Sequence, residues 1–517
     1  MTAHAIVLPV LVPALAACLM LFAGERRLGM QRALGLAACL ALAALAAALV
    51  VRSASGAVTA YFLGDWAAPF GIALVLDRLA ALMLALTALV AAAAFAAATT
   101  GRDPIDTRGR YFHPLFQFQL MGLNGAFLTG DLFNLFVFFE VLLIASYCLL
   151  AHGQGAARLK AAVHFVVINL AASGLFLIGV ALLYAVTGTL NMADLALRVP
   201  AAVPADAALV RAGALLLLVV FAVKAAAFPL YLWLPGAYSA AAAPVAALFA
   251  IMTKVGVYSI VRVHGVIFGP DAGDVALVAM PWLAAAAIAT TVAGAVGALG
   301  AASLTRMTAY LTIASVGTLL IAVSLASPAG LGAALYYLVH STLAVAALFL
   351  LAAEIGVRRG AAGDRLQSGA AIPHPVGLGI ALVVAAASIV GLPPFPGFVG
   401  KLMILGASWG LPATPWLWAV ILGTGLLALL ALARAGSVLF WQPGEAGAAP
   451  GPTTPYALAA PWALLACGIA LAAFAAPVKR FADEAARQIA DTPSYAAHVL
   501  GDGRDATARP LRPGGPR

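Results

Sequence analysis

Three lysines, Lys224, Lys254 and Lys401, stand inside runs that are otherwise almost wholly apolar. One carboxylate, Glu140, and one histidine, His340, share that setting near span centres. A lysine in hydrocarbon costs about 3 kcal/mol at the centre of a span, so each needs a partner or a purpose. Two of the lysines adjoin helix breakers. Lys224 in FAVKAAAFPLYLWLPGAY precedes Pro229 and Pro235, and Lys401 in SIVGLPPFPGFVGKLMIL follows Pro393, Pro394 and Pro396. A broken helix frees backbone carbonyls that must face protein or a water-filled cavity. An ionisable residue beside such a break is a pointer to an ion site. The chemistry this set could perform is proton transfer. Burial favours a neutral lysine and a nearby carboxylate favours a charged one, so a lysine that gains and loses a glutamate partner is a proton switch.

Each residue also has a plainer reading. Glu140 fits a structural ion pair between two helices, Lys224 and Lys401 fit side chains that snorkel, and His340 fits a hydrogen-bonded packing residue. Asp77 and Asp131 fall at or near span ends, within reach of water or headgroups, and His164, His264 and His374 lie near span ends without a role. As a set, five ionisable residues at membrane depth favour the relay.

These residues must be positioned by membrane helices. Of 517 residues 64% are hydrophobic and 9% charged, with a mean hydropathy of +1.06, whereas a soluble domain carries about 25% charged residues. The chain is therefore expected to be an all-α polytopic membrane protein. At about 20 residues per span, fourteen spans are expected. They fall near 3–23, 30–51, 71–99, 111–130, 132–151, 161–186, 208–234, 241–264, 276–299, 303–326, 331–353, 376–408, 414–440 and 456–476. Span 4 contains His113, Gln117, Gln119 and Asn124, which predicts a helix packed inside protein. Spans 7 and 12 carry the proline breaks and lie five spans apart, hence in opposite orientations. That spacing predicts inverted repeats, spans 4–8 (111–264) and 9–13 (276–440), between an N-terminal group at 1–110 and a last span with tail at 456–517.

Thirteen Lys and Arg lie in or beside loops after odd-numbered spans, against five on the opposite side before the tail. The bias places the odd loops in the cytoplasm and the N-terminus outside. An even span count then puts the tail outside, against its seven basic residues. Phe481–Ile489 suits a short amphipathic helix, and Gly501–Arg517 has the composition of a disordered segment. Cys18, Cys39, Cys148 and Cys467 read as small buried hydrophobes, since no C-x-x-C spacing occurs. The first apolar run, with Arg26 and Arg27 behind it, reads as a span rather than a cleaved signal. No Gly-rich phosphate loop, redox ligand set, catalytic triad or nucleic-acid patch is present, so neither a cofactor nor enzyme chemistry is expected.

Six stretches carry a resemblance: Gly130–Gly153, His164–Ala196, Val223–Tyr238, Ala243–Val263, Gly391–Leu405 and Arg487–Gly501. Through them the chain resembles the proton-translocating antiporter-like subunits of respiratory complex I and of multisubunit Mrp/Pha cation/proton antiporters, and among these the D-type subunit of Mrp/Pha. The resemblance implies that Glu140 is the span 5 glutamate paired with Lys224, Lys254 the span 8 relay lysine, His340 the span 11 histidine, and Lys401 the terminal lysine. It also implies other antiporter subunits as partners, protons and monovalent cations (Na+ or K+) as cargo, and a bacterial inner membrane. One departure stands out. Many relatives carry a lysine shortly after the span 11 histidine, where this chain has Val345, so the link from Lys254 to Lys401 is expected to use water, His340, Ser315 and Thr318. Two alternatives remain: a proton-pumping subunit of a complex I-like dehydrogenase or membrane hydrogenase, and a passive membrane anchor.

Overall fold

A computed structural model of the chain describes residues 3–24, 26–100, 104–442 and 457–501. Arg102 and the tail beyond Gly501, on which the disorder reading falls, lie outside the described residues. Of the described residues 78% are helical. Helices α1 (Leu8–Ala23), α2 (Leu28–Ser53) and α3 (Arg78–Thr100) come first, with an antiparallel hairpin of β1 (Thr59–Phe62) and β2 (Ala73–Leu76) before α3. Then follow α4 (Phe112–Leu128), α5 (Leu132–Ala151), α6 (Ala156–Thr187) and the short α7 (Met192–Arg198). The chain continues through α8 (Ala207–Ala225), α9 (Trp233–Ala240), α10 (Ala243–Phe249) and α11 (Met252–Ser259), which runs into a π turn at Ile260–His264. Next are α12 (Met280–Leu299), α13 (Leu304–Ser324), α14 (Pro328–Arg358), α15 (Pro375–Val390), α16 (Pro396–Ala407) and α17 (Thr414–Trp441). Last come α18 (Ala459–Ala473), α19 (Ala475–Ala490) and α20 (Thr492–Leu500).

Among the described residues, ten helical stretches are long and apolar enough to cross a membrane, or eleven if α18 and α19, bent by 83°, count together. The shorter apolar helices are α1, α15 and α16. The protein is thus a multi-pass membrane protein. Its two long interruptions form by the same device. Beyond α8, Ala226 turns left-handed (φ 57°), and the N–H groups of Ala226 and Ala227 bond the carbonyls of Val223 and Ala222. Beyond α15, Gly391 (φ 87°) and Leu392 both close on the Ala387 carbonyl. These closures satisfy the last carbonyls of a helix that stops inside apolar surroundings. Pro229 then lies in the first break and Pro393 and Pro394 in the second.

Several expectations are corrected. Pro235 does not interrupt a helix; it occupies the first turn of α9, where its missing N–H has no intrahelical partner to lose. The run assigned to span 3 starts as strand β2, and its helix begins only at Arg78. Span 8 is itself irregular, pausing between α10 and α11 and loosening into the π turn. Only Cys39 is buried; Cys18 and Cys148 are exposed and Cys467 is intermediate, because apolar surface on a membrane protein also faces outward. The tail helix is present and longer than the run that suggested it. Ala482, Ala485, Ala486 and Ile489 are buried, and the helix lies on α14 and α3. Arg78 pairs with Glu484 at 2.7 Å, and the Gln488 amide donates to the Gly56 carbonyl at 2.9 Å. The tail therefore docks on the face that carries the β1–β2 hairpin, a loop that follows an even-numbered span.

Candidate functional site

The first break assembles a small polar group between α5, α6 and α8. Lys224 sits in the last turn of α8, buried to 8% exposure, where the negative end of the helix dipole favours a cation. Its Nζ donates to Asn169 Oδ1 at 3.2 Å, and the ammonium lies 5.8 Å from the Phe139 ring centre. Glu140 is half-buried on α5 and accepts a short hydrogen bond from Ser173 Oγ. Asn169 and Ser173 lie one turn apart on α6, so α6 supplies an oxygen to the lysine and a hydroxyl to the glutamate. The expected direct Glu140–Lys224 pair is not closed: among the described residues no carboxylate oxygen lies within 4.0 Å of Lys224 Nζ. The sequence reading does not single out Asn169 and Ser173 as partners. Their signal is two polar residues at i and i+4 in HFVVINLAASGLFL, which puts them on one face of an otherwise apolar helix.

Lys254 lies on α11 with no solvent exposure and donates to Ser315 Oγ on α13 at 3.3 Å. The helices bearing Lys224 and Lys254 touch backbone to backbone. A Cβ added at Gly256 would stand 2.3 Å from the Ala225 nitrogen, so only glycine permits that approach. Beyond Ser315 lies a cavity of about 30 Å³, lined by Ser315, Thr318, His340, Val345, Lys401 and Thr291 among others. A site of that size and polarity accommodates roughly two waters. It occupies the region where Val345 stands in place of an expected lysine.

His340 is buried on α14 and meets both halves of the second break. Its Nδ1 is 3.4 Å from Ser388 Oγ on α15, and a Cβ at Gly397 on α16 would fall 2.8 Å from its Nε2 and 1.9 Å from the Ser388 carbonyl. Lys401 reaches back from α16 across the break and donates to the Val390 carbonyl at 2.7 Å, at the end of α15. An ammonium there satisfies a freed carbonyl and sits at a helix C-terminus, the favourable end for positive charge.

Two further ionisable residues are enclosed: Arg262, one of the five basic residues that the charge count puts beside loops after even-numbered spans, is 1% exposed in the π turn, and Asp77, expected at a wet span end, is equally buried. They form a bidentate pair, with Nη2 donating to Oδ1 at 2.8 Å and Nη1 to Oδ2 at shorter range. Asp77 also accepts from the Ala80 N–H at 2.8 Å, and Arg262 Nε donates to the Tyr258 hydroxyl at 3.2 Å. Tyr495 of α20 lies over the guanidinium, its ring centre 5.7 Å away. The tail and strand end seal off what sequence position alone puts at a membrane surface. On the opposite side of α3, Asp106 binds Arg32 at 2.7 and 3.0 Å and His113 Nε2 at 3.0 Å. Burial alone would raise the Asp106 carboxyl, but the hydrogen bonds from His113 and Arg32 prevail and hold it down at about 2.

Buried lysines set at the breaks of interrupted apolar helices are the construction of a membrane ion-transport protein. The family model described as NADH:quinone oxidoreductase/Mrp antiporter, TM, matches residues 129–428, and the chain belongs to this family. It is 42% identical over 471 residues to the D-type subunit of a probable K(+)/H(+) antiporter from Rhizobium meliloti, covering 85% of this chain and 87% of the relative. It is 38% identical over 450 residues to the D-type subunit of a Na(+)/H(+) antiporter from Bacillus subtilis, covering 86% and 88%. Among solved structures it is similar to a chain of the Mrp complex from a Dietzia species, with a TM-score of 0.86, 31% identity, and coverage of 97% of this chain and 100% of that one.

Proposed function

We propose that the chain is the D-type membrane subunit of a multisubunit monovalent cation/proton antiporter in a bacterial inner membrane, and that protons move along Glu140, Lys224, Lys254, His340 and Lys401. The observation that carries this reading is the kind of partner each lysine keeps. Lys224 holds an amide oxygen, Lys254 a hydroxyl and Lys401 a backbone carbonyl. A lysine bonded to a neutral oxygen is not committed to its charged form, and a proton leaving it strands no carboxylate beside it. The cavity between Ser315 and Lys401 has room for water, which would supply the span that no side chain among the described residues bridges.

The finer architecture belongs to the same reading: fourteen spans, with 111–264 and 276–440 as inverted five-span repeats between 1–110 and 456–517. Matching features support it. The loop after the first span of each repeat pairs with the loop after the third, through Asp131 and Asn191 in one and Ser303 and Arg365 in the other. Both interruptions begin with a left-handed closure of the preceding helix. Glu140 is half-buried on a helix whose Val137 and Ile144 face outward. A carboxylate cannot face lipid at that depth, which supports a neighbouring subunit on that flank. The deciding experiment is antiport in everted vesicles carrying the full set of subunits, with sodium, potassium and lithium each tested. Cation-dependent proton movement that survives Glu140→Gln unchanged would overturn the relay. For topology, Ala361→Cys should be shielded from an impermeant thiol reagent in intact cells and Ala201→Cys should react.

A further inference from the structure

The hydroxyl groups around the cavity of about 30 Å³ beside Ser315 are not equivalent. A hydroxyl has one proton to give and two lone pairs with which to receive. Ser315, Thr318, Thr291, Ser341 and Thr424 line the cavity, and each gives its proton to a carbonyl of its own helix at 2.6 to 3.2 Å. Such back-bonding is the common resort of serine and threonine inside a helix. These groups receive but have no proton left to pass on. Tyr337, on α14, is the lining hydroxyl that differs. It is buried, and a phenolic oxygen stands too far from its own backbone to be spent there. The neighbouring Tyr336 points elsewhere and gives its proton to the Leu471 carbonyl at 3.1 Å. The side chain that meets the Tyr337 hydroxyl is Thr318. Because the Thr318 proton is committed to Ala314, Tyr337 is the donor of that pair.

Glycines set the place of this ring. Helix α16 meets α14 through Gly397 and Gly400, one turn apart, which pack on His340 and Tyr337, also one turn apart. A Cβ at Gly400 would stand 2.9 Å from Tyr337 Cδ2, as one at Gly397 would stand 2.8 Å from His340 Nε2. The two rings lie 5.4 Å apart, and Lys401 follows Gly400 directly and lines the same cavity. We propose that Tyr337 is a further proton-relay residue, its hydroxyl handing protons across the cavity between the Lys254 side and the Lys401 side. The phenol receives a proton from a water on one side as it releases its own to an acceptor on the other. One O–H bond forms as another breaks, and the ring stays neutral throughout. Water fills the gap, and Tyr337 gives that water a fixed group that both accepts and donates, which the Val345 wall cannot. The inference rests on the proposed relay and adds a member to it.

The test is antiport in everted vesicles carrying the full set of subunits, run in H2O and in D2O, with rates normalised to assembled complex by immunoblot. Tyr337→Phe keeps the ring on Gly400 and removes only the hydroxyl. Its maximal rate should fall about fivefold, the worth of one hydrogen bond, while the half-saturating cation concentration stays as in the wild type. The ratio of rates in H2O and D2O should rise, because transfer across the cavity becomes the slow step. Ser341→Ala and Thr424→Val, which remove hydroxyls already spent on backbone, should change the rate less. A slower Tyr337→Phe with the wild-type isotope ratio would overturn the proposal, since the hydroxyl would then only support packing. Control variants as slow as Tyr337→Phe would overturn it too. Lys254→Ala, measured in parallel, separates this inference from the relay itself. Wild-type antiport in Lys254→Ala would remove the relay and Tyr337 with it. Loss of antiport in Lys254→Ala beside an unaltered Tyr337→Phe would remove Tyr337 alone.

Discussion

Lys254 and Arg262 lie about two turns apart on one span, both fully enclosed, and are held in opposite ways. Arg262 meets a carboxylate through two hydrogen bonds, a tyrosine hydroxyl through a third, and an aromatic face from the tail. Lys254 meets a single serine hydroxyl at 3.3 Å. Arginine is always protonated and its planar fork suits a carboxylate, whereas lysine is a point charge that can lose its proton. The first arrangement fixes β2, α3, α11 and α20 relative to one another. The second leaves the charge state of its group open. Burial is thus common to both residues, and the partner is what differs: on the proposed relay, Arg262 is the structural charge and Lys254 the working one.

The comparison can be broken most severely at the locked end. Asp77→Asn or Arg262→Leu leaves one buried charge uncompensated, which costs about 3–5 kcal/mol, so the amount of assembled protein in membranes should collapse. The double variant Asp77→Leu with Arg262→Met should recover much of it, read by immunoblot of the intact complex. At the open end the loss should be of transport, not of protein. Lys254→Ala, Glu140→Gln and Lys224→Ala should each leave assembly normal and cut antiport at least about tenfold, the scale of a kcal-sized change at a relay step. Lys254→Arg keeps the charge but cannot release the proton, so it should fail to rescue transport. Full antiport in Lys254→Arg would erase the distinction between the two residues.

A smaller effect is expected at the cavity beside Ser315. Ser315→Ala removes the acceptor of Lys254 and one polar wall of the cavity, and should slow antiport several-fold, about the worth of one hydrogen bond, with assembly unchanged. Thr318→Val should do less: both hydroxyls donate to a backbone carbonyl one turn back, but of the two only Ser315 accepts from Lys254. Equal antiport in wild type and Ser315→Ala would remove Ser315 from the relay. The smallest effect sharpens the locked category on the other face. Asp106 is held at about 2 by its partners, below the ordinary carboxylate value near 3.9. A depressed carboxyl contributes stability in full above its unfolded value and loses it as pH falls through the folded one. The difference in thermal midpoint between wild type and Asp106→Asn should thus be constant above about pH 4 and shrink toward pH 2. A difference unchanged across that window would show that His113 and Arg32 do not hold the carboxylate.

What was legible in sequence depended on how local the signal is. The proline clusters around Pro229 and Pro393 mark breaks because proline lacks an N–H and clashes with the preceding turn, whatever surrounds it. Pro235 misled for the same local reason: in the first turn of a helix the missing N–H costs nothing. The tail helix was visible as an amphipathic run, although its place on α14 and α3 was not. Asp77 and Arg262 could not be read as partners, because their positions differ by 185 in the chain and each lies near the end of an apolar run.

Composition and hydropathy by themselves determined that this is a helical multi-pass membrane protein, since so apolar a chain cannot otherwise satisfy its backbone. They also picked out the residues too costly to be incidental at membrane depth. Tertiary structure alone decided which partner each charge keeps: Asn169 for Lys224, Ser315 for Lys254, the Val390 carbonyl for Lys401, and Asp77 for Arg262. It also decided that a water-sized gap, rather than a side chain, lies beside Val345. The physical reason is that the cost of burying a charge is a property of one residue and its neighbours in sequence. The compensation comes from groups on other helices, and only packing brings those within hydrogen-bonding distance.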